Sequence, residues 1–153
     1  MVERITMKAL MYHYVRKFDE NNPYSKHKEI DDFYKEIKEL IKIGYQFKNV
    51  TEAIRSMKNG ENTDNILLLT FDDGLKDHIH VAHILKDLGI NKATFYIPID
   101  SYKSNRVLHV HKAHLVVSNQ GEKALDLLAD ASNRLNLPII DHSNYEIERE
   151  NYK

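Results

Sequence analysis

No cysteine occurs among the 153 residues, which excludes disulfides, thiolate catalysis and cysteine-based zinc modules. Neither charge dominates: 22 Lys and Arg stand against 23 Asp and Glu, a formal net charge of −1. Neutralising many phosphates takes a basic surplus, which argues against a general nucleic-acid binder. Long hydrophobic runs are missing too. The longest, Ile66–Leu69, falls far short of the roughly 20 residues that cross a bilayer. Met1 to Leu10 shows no basic segment followed by an apolar stretch, as a secretory leader would. These absences lead to the expectation of a cytoplasmic protein with no membrane span. What is present is 42% hydrophobic and 29% charged, a balance that suits a globular chain and not a disordered one.

The chain predicts alternating strands and helices. Ile5–Val15 reads as a first strand ending at Tyr12, His13 and Tyr14, and Asn21, Asn22 and Pro23 as a loop. Ile30, Phe33, Ile37, Leu40 and Ile41 recur at three- and four-residue steps, which predicts a helix over 30–43 stopped by Gly44. Tyr45–Val50 reads as a short strand, and Thr51 as the cap of a helix running through Met57. Ile66–Phe71 is apolar on both faces, as in a strand covered on both sides of a parallel sheet. Leu75, Ile79, Ala82, Leu85 and Leu88 predict the next helix, and Lys92–Ile97 another strand. Strand, helix and strand in this order form a βαβ unit, so the expected class is α/β. Val107–Val117 fits helix or strand. Glu122–Leu135 predicts a helix with Leu125, Leu128 and Leu135 on one side, and Asp141–Lys153 reads as a loose tail.

Chemistry concentrates where the buried strand ends. Asp72 and Asp73 follow Phe71 directly, and Gly74 lets the chain turn tightly. The carboxyl ends of parallel strands are where α/β folds bind ligands. Adjacent carboxylates repel each other, and a cation relieves that repulsion. One can ligate a metal while the other takes a proton from water. A plain Asp-Asp-Gly turn accounts for the same three residues, and the residues alone leave both readings open.

The wider context adds a resemblance. Leu69-Thr70-Phe71-Asp72-Asp73-Gly74, followed by Lys92-Ala93-Thr94-Phe95-Tyr96 and preceded by Leu10-Met11-Tyr12-His13, resembles the polysaccharide deacetylases, the NodB-like carbohydrate esterases. It covers about the first two-thirds of the chain. The resemblance implies a distorted (β/α) barrel, here partial and with its second half missing. It implies a domain over residues 1–140, with 141–153 as tail. It also implies metal-dependent removal of an N-acetyl group from an amino sugar or sugar conjugate. Asp72 would be the general base and Asp73 a ligand for zinc or a similar divalent ion, with Gly74 and His13 in the pocket. For His13, lining the pocket and merely filling the strand end are both open.

The sequence also departs from the family. The family completes its metal site with a His-Ser/Thr-x-x-His motif, and His142-Ser143-Asn144-Tyr145-Glu146 begins that way but lacks the second His. The family's groove Trp is absent as well. His111-Lys112-Ala113-His114 offers a substitute, since helical positions three apart share a face and both imidazoles can reach one metal. A partly exposed helix face is the plainer alternative. His80 and His83 fall opposite the apolar stripe of their helix and read as solvent-exposed. Lys35, Lys38 and Lys42 with Glu36 and Glu39 read as a solvated face. The chain alone is expected to be weakly active or inactive. The other expectation is a non-catalytic half-barrel whose open strand edges are covered by a second copy or a partner chain.

Overall fold

The computed structural model describes residues 7–136. The beginning of the first expected strand, the His142-Ser143 fragment and the expected tail over 141–153 lie outside the described residues. Six parallel strands and six helices follow one another as β1 (Lys8–Tyr12), β2 (Val15–Arg16), β3 (Lys28–Glu29), α1 (Ile30–Ile43), β4 (Gln46–Lys48), α2 (Val50–Lys58), β5 (Ile66–Phe71), α3 (His78–Asp87), β6 (Thr94–Phe95), α4 (Ile99–Ser104), α5 (His109–Gln120) and α6 (Lys123–Arg134).

β5 is the axis of the main sheet. β1 pairs with it along nearly its whole length, from Lys8 opposite Leu67 to Tyr12 opposite Phe71. Since one edge is taken, β4 and β6 share the other in tandem: β4 against Ile66–Leu68, β6 against Thr70 and Phe71. β2 and β3 form a separate parallel pair. This is a mixed α/β fold with open parallel sheets. No closed barrel forms among the described residues, and no strand there pairs with the outer edge of β1.

Burial explains the arrangement. Ile66, Leu67, Leu69 and Phe71 of β5 are buried, as a strand covered on both faces requires. α1 lays Phe33 and Ile37 against this strand, with Val15, Val81, Leu85 and Ile90 completing the core. Tyr12 stacks on Phe71 and meets Phe33 edge-on, and Phe71 stacks in turn on Phe95. α1 has Asp31 and Asp32 in its first turn and Lys42 in its last, which suits the helix dipole. It ends at Gly44, whose φ of +97° is a left-handed stop that a β-carbon would strain.

Four expectations are corrected. Asn49, and not Thr51, caps α2: its side chain accepts the Glu52 N–H at 2.9 Å while the Glu52 carboxylate accepts the Asn49 N–H at 3.3 Å. That reciprocal capping box satisfies two otherwise free donors, which Thr51 inside the helix cannot do. α3 starts at His78, and the residues it buries are His78, Val81 and Leu85; Ile79 stays 58% exposed. His78 takes the inward place because its ring packs on Phe71 and Phe95 and its Nε2–H donates to the His13 carbonyl at 2.8 Å. The strand expected over 92–97 shortens to Thr94–Phe95, and the short helix α4 follows Pro98, where no helix was expected. Finally, α6 forms as expected but its Leu125, Leu128 and Leu135 face outward, with only Ala124 buried. The open question over 107–117 resolves as helix α5.

Candidate functional site

The parallel pairing of β1 with β5 puts their carboxyl ends side by side, and the Asp72 N–H donates to the Tyr12 carbonyl at 3.0 Å. His13 therefore emerges next to the two aspartates. Its Nε2 lies 3.9 Å from Asp72 Oδ2 and 3.8 Å from Asp73 Oδ2. Asp73 has φ +75° and Gly74 φ +57°. A non-glycine residue held there stores strain on the order of 1–3 kcal/mol, a feature that clusters at functional sites. Gly74 leaves little room for a side chain, since an added β-carbon would stand 3.2 Å from the Ile97 side chain, which would have to shift.

The second half of the cluster comes from α5. Helical spacing puts His111 and His114 on one face, with Tyr14 in front of both. The Tyr14 hydroxyl hydrogen-bonds to His111 Nδ1 and, at 3.1 Å, to His114 Nδ1. His111 Nε2 lies 3.4 Å from Asp73 Oδ2, at ion-pair distance, with its side chain only 13% exposed. That nitrogen is buried and has no hydrogen-bond partner. His114 is exposed and meets the cluster through the Tyr14 hydroxyl and an edge-on contact with the His111 ring.

Arg16 supports Tyr14 from the other side. Its guanidinium lies 4.4 Å from the centre of the Tyr14 ring and is tied to Asp77 by Nε at 2.6 Å and Nη2 at 2.5 Å. Burial pushes the Tyr14 hydroxyl above the usual tyrosine range; the Arg16 charge opposes this and the Asp73 and Asp77 charges add to it.

Beside the cluster opens a cavity of about 560 Å³, within the usual range for small-molecule sites. His13, Tyr14, His111 and His114 line it, while Asp72 and Asp73 do not. Two imidazoles are thus shared between the carboxylate cluster and the cavity. Arg16, Lys17 and Lys26 bring positive charge to its lining, and Leu75, Val107 and Leu115 bring apolar surface.

The structure therefore joins Asp72, Asp73, His13 and His111, with Gly74 as the turn that presents them. His80 and His83 are exposed on α3, as expected from their spacing, and take no part. Lys35 and Lys42 pair only with Asp32 and Glu39 on their own exposed helix face. The sequence reading missed Tyr14, His78 and the Arg16–Asp77 pair. Their signal was weak, because each acts through contacts that the chain makes only after folding.

Zinc is held by nitrogen and oxygen donors at about 2.0–2.2 Å, so neighbouring ligands of a tetrahedral ion stand roughly 3.4 Å apart. The orphaned His111 Nε2 and Asp73 Oδ2 are separated by that amount, and these two donors fit such an ion. Among the described residues no three His, Asp or Glu side chains are gathered as a metal site. No helix of the described residues is long and apolar enough to cross a membrane. No protein-family model matches the chain, and no curated protein matches it.

Proposed function

We propose that the Asp72–Asp73–His13–His111 cluster is a metal-dependent hydrolytic site that removes an N-acyl group, such as acetyl, from an amino sugar or sugar conjugate. One observation carries the reading: His111 Nε2, buried and without a hydrogen bond, lies 3.4 Å from Asp73 Oδ2 at the carboxyl end of the central parallel strand. A proton on that nitrogen or a cation between the two groups relieves their opposition, and a divalent ion shared by both donors does so while leaving a position for water. The resemblance to the NodB-like deacetylases supports the same assignment.

Asp73 and His111 would hold the ion, with His13 within reach of both aspartates. When bound, a zinc-like ion supplies Lewis-acid polarisation of the amide carbonyl and a more acidic water. Asp72 Oδ2 then takes a proton from the attacking water, as a general base does. The water oxygen joins the acyl carbon, the C–N bond breaks, and the proton is handed on to the leaving amine. The cavity beside His13 and His111 receives the rest of the sugar. Its side chains Lys17 and Lys26 make no ion pair among the described residues.

Calorimetric titration with zinc tests this directly. Micromolar binding to the wild-type chain, lost in Asp73→Ala, is the expected result. A wild-type chain that takes up no zinc contradicts it.

A second reading is favoured by a separate observation. Leu125 and Leu128 of α6 are 64% and 62% exposed, and the outer edge of β1 is unpaired among the described residues. On this reading the chain serves assembly, with a second copy covering these surfaces. Light scattering should then show a dimer that Leu125→Glu with Leu128→Glu dissociates, and a monomer at all concentrations removes the reading.

A further inference from the structure

We propose that the cavity beside the cluster is an anion site, and that the sugar it receives carries a phosphate group held by Lys17 and Lys26. This deepens the hydrolytic reading above and rests on it for the sugar, but not for the anion. The charge of the lining carries it. Among the described residues that line the cavity, Arg16, Lys17 and Lys26 stand against one carboxylate, Asp19, in a chain whose formal net charge is −1. Asp72 and Asp73 lie outside the lining.

Most of the charged groups are already engaged, and following each one isolates two. The Arg16 guanidinium is bound to Asp77 through Nε and Nη2. His27, with its side chain only 7% exposed, is held between the Ser25 carbonyl at 3.1 Å and the Glu29 carboxylate at 2.9 Å. Asp19 is tied to its own loop: one oxygen accepts from the Asn21 backbone and side-chain amides, each at 3.0 Å, and the other from the Asn22 amide at 2.7 Å. Lys17 and Lys26 remain, both exposed and neither in an ion pair among the described residues.

Two uncompensated ammonium groups in one concavity raise the local concentration of anions. A phosphate monoester suits them better than a carboxylate, because it carries about −1.5 to −2 charges at neutral pH. Lysine also binds phosphate well as a point charge. Leu75, Val107 and Leu115, with Tyr24, give the rest of the wall apolar and aromatic surface for the C–H face of a sugar ring. His13 and His111 belong to both the cavity and the carboxylate cluster, so a sugar anchored by its phosphate lies within reach of that cluster.

Calorimetry on the full, metal-free chain tests this with N-acetylglucosamine 6-phosphate and uncharged N-acetylglucosamine as probes. The phosphorylated sugar should bind at least about tenfold more tightly. Lys17→Gln and Lys26→Gln should each weaken it about fivefold, the effect of one charge pair at contact distance in water. Neither should alter binding of the uncharged sugar. Lys35→Gln, on the exposed face of α1, should leave both affinities unchanged. Equal affinity for the two sugars overturns the proposal, as does sugar-phosphate binding that neither cavity lysine affects. Inorganic phosphate should compete but bind more weakly, and equal affinity would overturn the assignment of a sugar. A chain that binds the sugar phosphate yet takes up no zinc keeps the anion site and overturns the hydrolytic reading instead.

Discussion

From β1 to β6 the chain buries Phe33, Ile37, Leu69, Phe71 and Val81 around one strand, whereas α4 buries no residue, α5 only Ser118 and α6 only Ala124. The first region is held by apolar packing. The second is attached largely by polar contacts: the Tyr24 N–H donates to the Ser118 carbonyl at 2.9 Å, and the Asn119 amide to the Asn21 carbonyl at 2.7 Å. The candidate site spans this seam, with Asp72, Asp73 and His13 on the rigid side and His111 on the lightly held side. Geometry on one side is fixed by the core, and geometry on the other by polar contacts, the Tyr14 hydrogen bonds to His111 and His114 among them.

The largest expected effect breaks the first region. Leu69→Ala, in the middle of β5, should cost about 2–5 kcal/mol in denaturant unfolding. Leu125→Ala on α6 should change stability by no more than about 0.5 kcal/mol. Equal losses would mean that both regions share one core, and the contrast would fail. Next comes Asn49→Ala, which removes the reciprocal cap of α2 and should cost about 1 kcal/mol. Thr51→Ala in the same helix should cost less, and the pair of unfolding curves reads the difference.

The smallest effect concerns alkaline pH. Burial, then the hydrogen bond to Glu36 and the Glu36 charge, push the Tyr12 hydroxyl well above its usual range. A group held protonated in the folded state contributes stability that is complete below its unfolded pKa and is lost as pH rises beyond it. Thermal unfolding should therefore show the wild type losing stability above about pH 10. Tyr12→Phe should lose less across the same interval, and parallel curves would refute this role of Tyr12.

The same contrast governs how much the sequence disclosed. α1 and β5 have the expected bounds because their apolar spacing reports a real buried face. The spacing misled in α3, where His78 displaces Ile79 from the interior by packing its ring edge-on against Phe71 and tilted against Phe95. It misled again in α6, where a good leucine stripe meets no partner among the described residues. In α5, Val110, Leu115, Val116 and Val117 are all exposed, so no buried face existed for a period to report. At the site, Asp72 and Asp73 were legible because they terminate a strand of unmistakable pattern. His111 was legible as one of a spaced pair, but its placement was not, because the hydroxyl it hydrogen-bonds lies 97 positions earlier in the chain.

The central claim is that the two regions meet through one cation held between Asp73 and His111. A double-mutant cycle in zinc affinity, with Asp73→Ala, His111→Ala and the double variant, tests it most directly. If the two side chains grip the same ion, each single variant should lose most of the affinity and the double variant should lose little more. Independent, additive losses would contradict the claim, and so would unchanged affinity in His111→Ala.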